Sequence, residues 1–147
     1  MRHPIRTLVL SFALAGALSV SLLAGTPVSA ATTIELAFVT KINAARTARG
    51  LRALPVGPYL TTKAHAHSLA MAQRGRLYHT DLSTICCSRA VAENVGVGYT
   101  VYSIHKAFMS SSAHRANILD RRWRGVGVGV VKSGGRLWVT EIFRQPS

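Results

Sequence analysis

Three short segments carry most of the side chains able to do chemistry: "LYHT" at 77–80, "AEN" at 92–94 and "SAHRAN" at 112–117. The whole chain has only five Asp and Glu residues, so each carboxylate needs a reason for its position. Glu93 lies among small apolar residues, and a buried carboxylate requires a cationic or hydrogen-bonding partner. His79 and His114 are the candidate partners. Two imidazoles and one carboxylate can hold a zinc-like divalent cation with an open coordination position. The same three side chains can equally form a hydrogen-bond network that ties loops to helices. Residue types alone favour the network, since perturbed polar clusters are often structural.

The remaining histidines make weaker claims. His67 shares a helical face with Leu60, Ala64 and Met71, which makes it a core histidine bonded to backbone. His65 points elsewhere on the same helix, and His105 reads as a surface residue. Glu141 alternates with Leu137, Val139 and Phe143. Its position fits either a layer edge reaching solvent or a fourth member of the polar cluster, and the edge is the favoured reading. No HExxH, GxSxG, Walker loop or paired CxxC is present. "GVGVGV" at 125–130 leads into a turn and a strand, not a helix, so it is no dinucleotide loop. Its glycines instead allow something to pack against the backbone.

Positioning these side chains requires the following elements. A helix is expected over about Ile34–Arg49, with Ile34, Phe38, Ile42 and Ala45 on one face and Gly50 as its stop. "LRALPVGP" is a connector broken by Pro55 and Pro58. A second helix is expected over about Tyr59–Arg74, ended by Gly75. Residues 76–92 show weak periodicity and read as a loop. Thr100 caps a short third helix with Val101, Ile104 and Phe108 on its apolar face. "HRANIL" reads as one further turn anchored by Ile118 and Leu119. A β-hairpin closes the chain: "GVGVGVV", a "KSGG" turn and "RLWVTEIF". Leu137, Val139 and Phe143 face one way, and Trp138 and Ile142 the other, so this strand is covered on both sides. The fold class is α+β, a three-layer α-β-α sandwich.

Composition adds a compartment and a field. Residues 1–30 combine Arg2 and Arg6, an apolar stretch and a terminal "VSA", the pattern of a secretory signal peptide. The alternative is an N-terminal anchor. The domain is then 31–147, with no second apolar run of the roughly 20 residues a membrane span needs. Eighteen Lys and Arg face five acids; setting aside Arg2 and Arg6 leaves a balance of +11. Such a field attracts anionic polymers or surfaces. Outside the cell these are wall polymers, lipid head groups or acidic glycans rather than nucleic acid. The two cysteines, Cys86 and Cys87, are adjacent and cannot staple distant elements. A vicinal disulfide, bridges to another chain and free thiols all stay open.

Taken in order, the segments resemble the CAP superfamily of cysteine-rich secretory, antigen 5 and pathogenesis-related 1 proteins, and most of all its short bacterial SCP-like extracellular members. "INAARTARGL", "LTTKAHAHSLAMAQRGRLYH", "AENVGVG", "HRANIL", "GVGVGVV" and "WVTEIF" carry the likeness over about Leu36–Phe143. The resemblance implies an α-β-α sandwich, a secreted location and a groove lined by histidines and glutamates. It places His79, Glu93 and His114 in that groove, with Glu141 as an added carboxylate. Ala92 replaces the family's glycine, and no glutamate lies between Val101 and Met109, so the four-residue metal set of many members is incomplete. His79, Glu93 and His114 remain the metal ligands to test, with zinc as the candidate cofactor. The expected function is a secreted, non-enzymatic binding module for an anionic or lipid-like ligand at the cell envelope. The alternative is a divalent-metal-assisted hydrolase using the same three residues.

Overall fold

A computed structural model of the chain describes residues 32–147. The signal-peptide expectation falls outside that range. Helix α1 spans Thr33–Thr47 and α2 spans Pro58–Arg74; a 3₁₀ turn, Leu82–Thr84, precedes β1, Ser88–Gly98. Then come α3, Val101–Ser110, α4, Ser112–Leu119, β2, Gly125–Ser133, and β3, Arg136–Pro146. The three strands form one antiparallel sheet in the order β1-β3-β2.

Local chemistry sets the element ends. The Thr32 side chain accepts from the Glu35 N–H while the Glu35 carboxylate accepts from the Thr32 N–H, a reciprocal cap that starts α1. Pro58 occupies the first turn of α2, where its missing N–H costs nothing. Gly75, at φ 63°, ends that helix in the left-handed region. Thr100 caps α3 by accepting from the Ser103 N–H.

Helices cover both faces of the sheet. On one side Phe38, Val39 and Ile42 of α1, Ile104 and Phe108 of α3 and Ile118 of α4 pack with Val126, Val128, Val130, Leu137, Val139 and Phe143. On the other side α2 contributes Leu60 and Ala64 against Ile142, and Met71 against Val95 and Trp138. The central strand β3 is therefore buried on both faces, as its two apolar sides require. The glycines of β2 explain how close α2 comes. A Cβ on Gly127 would lie 2.3 Å from the Leu60 carbonyl carbon, and one on Gly129 would lie 2.0 Å from the His65 nitrogen. The helix backbone thus rests on the strand backbone, and Ser68 Oγ donates across to the Gly129 carbonyl at 2.9 Å.

Four sequence expectations change. The segment read as a loop over 76–92 ends early, because Ser88–Ala92 already belongs to β1. An edge strand with a half-covered first half has no clean alternation to display. "HRANIL" is not a single turn but most of the eight-residue helix α4. Ile34 is exposed at the start of α1, while Phe38 and Ile42 carry its buried face. His105 is half-buried rather than a surface residue.

Candidate functional site

Glu93 is the centre of the polar cluster on the α2 side of β1. Its carboxylate is buried, and Oε2 accepts from His79 Nδ1 at 2.8 Å and from the Thr80 N–H at 3.0 Å. His67 lies beyond Oε1, with Nε2 at 4.0 Å. That nitrogen instead meets the Tyr78 carbonyl at 2.8 Å, the backbone bond expected of a core histidine. Among the described residues Glu93 Oε1 meets no hydrogen-bonding protein atom. The His79 side chain is 62% exposed. With Nδ1 held by the carboxylate, its other ring nitrogen faces outward, the arrangement by which a carboxylate orients an imidazole. Among the described residues Glu93 is the side chain that hydrogen-bonds His79.

The opposite face of β1 carries a second network, beneath α4. Asn94 donates to Glu141 Oε2 at 3.0 Å and to the His114 carbonyl at 3.2 Å. Asn117 donates to Asn94 Oδ1 at 3.0 Å and to the Glu93 carbonyl at 3.2 Å. Trp123 Nε1 closes the set on the Asn117 carbonyl at 2.7 Å. The expectation that Glu141 reaches solvent at a layer edge is corrected. Glu141 is fully buried, on the central strand between β1 and β2. Burial, opposed only by the Asn94 amide, raises its carboxyl to about 8. It is neutral at pH 7, which removes most of the cost of burying it.

His114 belongs to neither carboxylate. Its ring packs on Phe108, with centroids 5.0 Å apart. Burial lowers its pKa, and the nearby His79 lowers it further. The structure thus joins His79 to Glu93 directly, brings His114 within reach of His79's charge, and puts Glu141 on the other side of the sheet. Asn94 and Asn117 bridge the two sides through β1. In the sequence these asparagines are signalled only indirectly, by their place in "AEN" and "HRAN".

A metal ion finds no ready ligand set here. Among the described residues no three His, Cys, Asp or Glu side chains are gathered closely enough to hold one. His79 Nδ1 is committed to Glu93, and Glu93 Oε1 is the one carboxylate oxygen of the pair without a partner. The residues present do not fit the His79–Glu93–His114 ligand set.

The sequence profile of the Cysteine-rich secretory protein family, CAP, matches residues 39–143. The chain belongs to that family. Uncharacterized protein YkwD of Bacillus subtilis (strain 168) is 29% identical over 126 residues, covering 78% of this chain and 49% of YkwD. The chain therefore spans about half the length of that curated relative. Among solved structures, the Schistosoma mansoni venom allergen-like protein 4 superposes with a TM-score of 0.69 at 12% identity, over 80% of this chain and 91% of that one. An outer surface protein from Borrelia burgdorferi gives 0.67 at 13% identity, over 74% and 90%. A Bacillus anthracis extracellular protein containing an SCP domain gives 0.65 at 20% identity, over 80% and 45%. These likenesses establish the CAP fold, the α-β-α sandwich described above.

Proposed function

We propose that this CAP domain is a non-enzymatic binding module, exported from the cell, that engages an anionic polymer or anionic lipid surface at the cell envelope. The observation that carries the reading is how one-sided the surface charge is. Glu35, Glu93 and Glu141 are buried, and Asp120 is paired with Arg122 at 2.6 Å. Asp81 is the one remaining acid. Of the Lys and Arg side chains among the described residues only Arg46 is buried. The fold thus withdraws its few carboxylates and leaves its cations outside, producing a stronger surface field than composition alone indicates. The names of two relatives, an outer surface protein and an extracellular protein, agree with an envelope location. No described helix is long and apolar enough to cross a membrane.

His79 marks the place where a specific contact would be made. It is exposed and oriented by a buried carboxylate, so it can meet a ligand oxygen at little ordering cost. The test is co-sedimentation with isolated cell wall, with phosphatidylglycerol vesicles and with neutral phosphatidylcholine vesicles. Binding to wall or to the anionic vesicles, weakened further in His79→Ala, is the expected result. Equal binding to neutral vesicles, or no binding to any of the three, contradicts the proposal.

A further inference from the structure

The only two cysteines of the chain are Cys86 and Cys87, between the 3₁₀ turn and β1. In an extended segment adjacent side chains point to opposite sides. Here they do not: Cys87 takes a left-handed backbone conformation, φ 60°, which non-glycine residues seldom adopt. The turn brings the two sulfurs to 3.0 Å, with the Cys87 thiol directed at Cys86 Sγ. Both residues are exposed. A thiol pair at the surface, already converged and with no third cysteine to compete, is poorly explained as packing.

We infer that Cys86 and Cys87 form a thiol–disulfide exchange site, taking an accessible disulfide as co-substrate and closing reversibly into a vicinal disulfide. Cys86 is the attacking sulfur. Hydrogen bonds from the Cys87 thiol and then the Tyr59 hydroxyl lower its pKa, with help from the positive charges of Arg144 and Lys63. The Cys87 thiol is shifted the other way, chiefly by Cys86, and serves as the resolving group. In the first step the Cys86 thiolate attacks one sulfur of the co-substrate R–S–S–R. The S–S bond breaks, one R–S⁻ leaves and takes up a proton, and Cys86 carries the other R–S group as a mixed disulfide. In the second step Cys87 gives its proton to solvent and attacks Cys86 Sγ. The second R–S⁻ leaves and is protonated. Two cysteine thiols are oxidised and one disulfide is reduced to two thiols, so two electrons and two protons pass to the co-substrate.

The ring cannot be a permanent staple. Neighbouring Cα atoms across a trans peptide are about 3.8 Å apart, whereas unstrained disulfides span roughly 4.4–6.8 Å. A ring strained in this way is readily reopened by thiols. The site therefore cycles rather than locks.

Glutathione disulfide is a suitable probe, applied to the full chain held reduced beforehand, with the products read by intact mass and non-reducing electrophoresis. The wild type should release two glutathiones, end lighter by two hydrogens, carry no adduct and form no covalent dimer; a modest excess of reduced glutathione should reverse this. Cys87→Ser should retain one glutathione on Cys86, and Cys86→Ser should react several-fold more slowly. Stable glutathione adducts on both cysteines, covalent dimers, an unreactive wild type, or a ring that excess thiol does not reopen would each overturn the assignment.

Discussion

Glu141 lies at the middle of the sheet, and among the described residues its single hydrogen-bond partner is the amide of Asn94. Its raised carboxyl, at about 8 against an ordinary 4.5, has a direct consequence for stability. Between those two values the unfolded chain has released the proton and the folded chain has kept it, so stability falls as pH rises through that window. His114 works in the opposite sense. Its depressed pKa means the unfolded chain gains the proton first, so that contribution is lost as pH falls below about 6.5. Glu141→Gln keeps an acceptor for Asn94 and removes the titration. Urea unfolding should show this variant more stable than wild type at pH 8, by on the order of a few kcal/mol, and nearly equal at pH 5. Equal pH dependence in the two proteins would contradict a neutral buried Glu141. The alternation of Glu141 with Leu137, Val139 and Phe143 gives the correct face of its strand but not its depth. Period two reports which side a residue faces; it does not report that β3 lies between β1 and β2 with helices over both faces. The Glu93–His79 contact, in contrast, was foreshadowed, because a lone acid among small apolar residues needs a partner.

At the scale of elements, the glycine–valine alternation of β2 was legible and its purpose became specific. Alternate glycines imply that something lies against the backbone, and that something is α2. Gly127→Ala and Gly129→Ala would each drive a methyl group into helix backbone, at 2.3 and 2.0 Å. Gly96→Ala meets the Phe108 ring at 2.8 Å, a side chain that can give way. Thermal melts should rank the β2 substitutions as the more damaging, at about 3 kcal/mol or failure to fold, against roughly 1–2 kcal/mol for Gly96→Ala. Comparable losses at all three positions would mean that α2 shifts as easily as one ring. Less visible beforehand were the polar joints. Arg46 is fully buried and donates to the carbonyls of Arg52, Ile118 and Asp120, fastening α1 to the end of α4. Glu35 accepts from Thr32, His65 and Val130, joining α1, α2 and β2. Burial alone would raise the Glu35 pKa, but these hydrogen bonds outweigh it and lower it. Arginine and glutamate on a helix usually mark the solvated face, so nothing in the periodicity singles these two out.

For the whole molecule, the scarcity of acids links fold and function. Three of the five carboxylates are used inside, as a joint, as the orienting partner of His79 and as a neutral buried acid. The exterior is left basic. The first three helices, the hairpin and the layer order followed from apolar spacing, because each face is marked by residues of one kind; α4 showed only as a turn. The edge strand β1 was not foreseen, hidden by its small, half-exposed residues, and with it the arrangement that puts Glu93 and Asn94 on opposite sides. The central claim, an exported binding module for an anionic envelope surface, is most directly tested by the salt dependence of its affinity for phosphatidylglycerol vesicles and for a purified anionic wall polymer. Affinity for at least one should be measurable at low ionic strength and should fall steadily as salt approaches about 1 M, where screening acts within roughly 3 Å. An affinity unchanged across that series, or absent for both at low salt, would contradict the account.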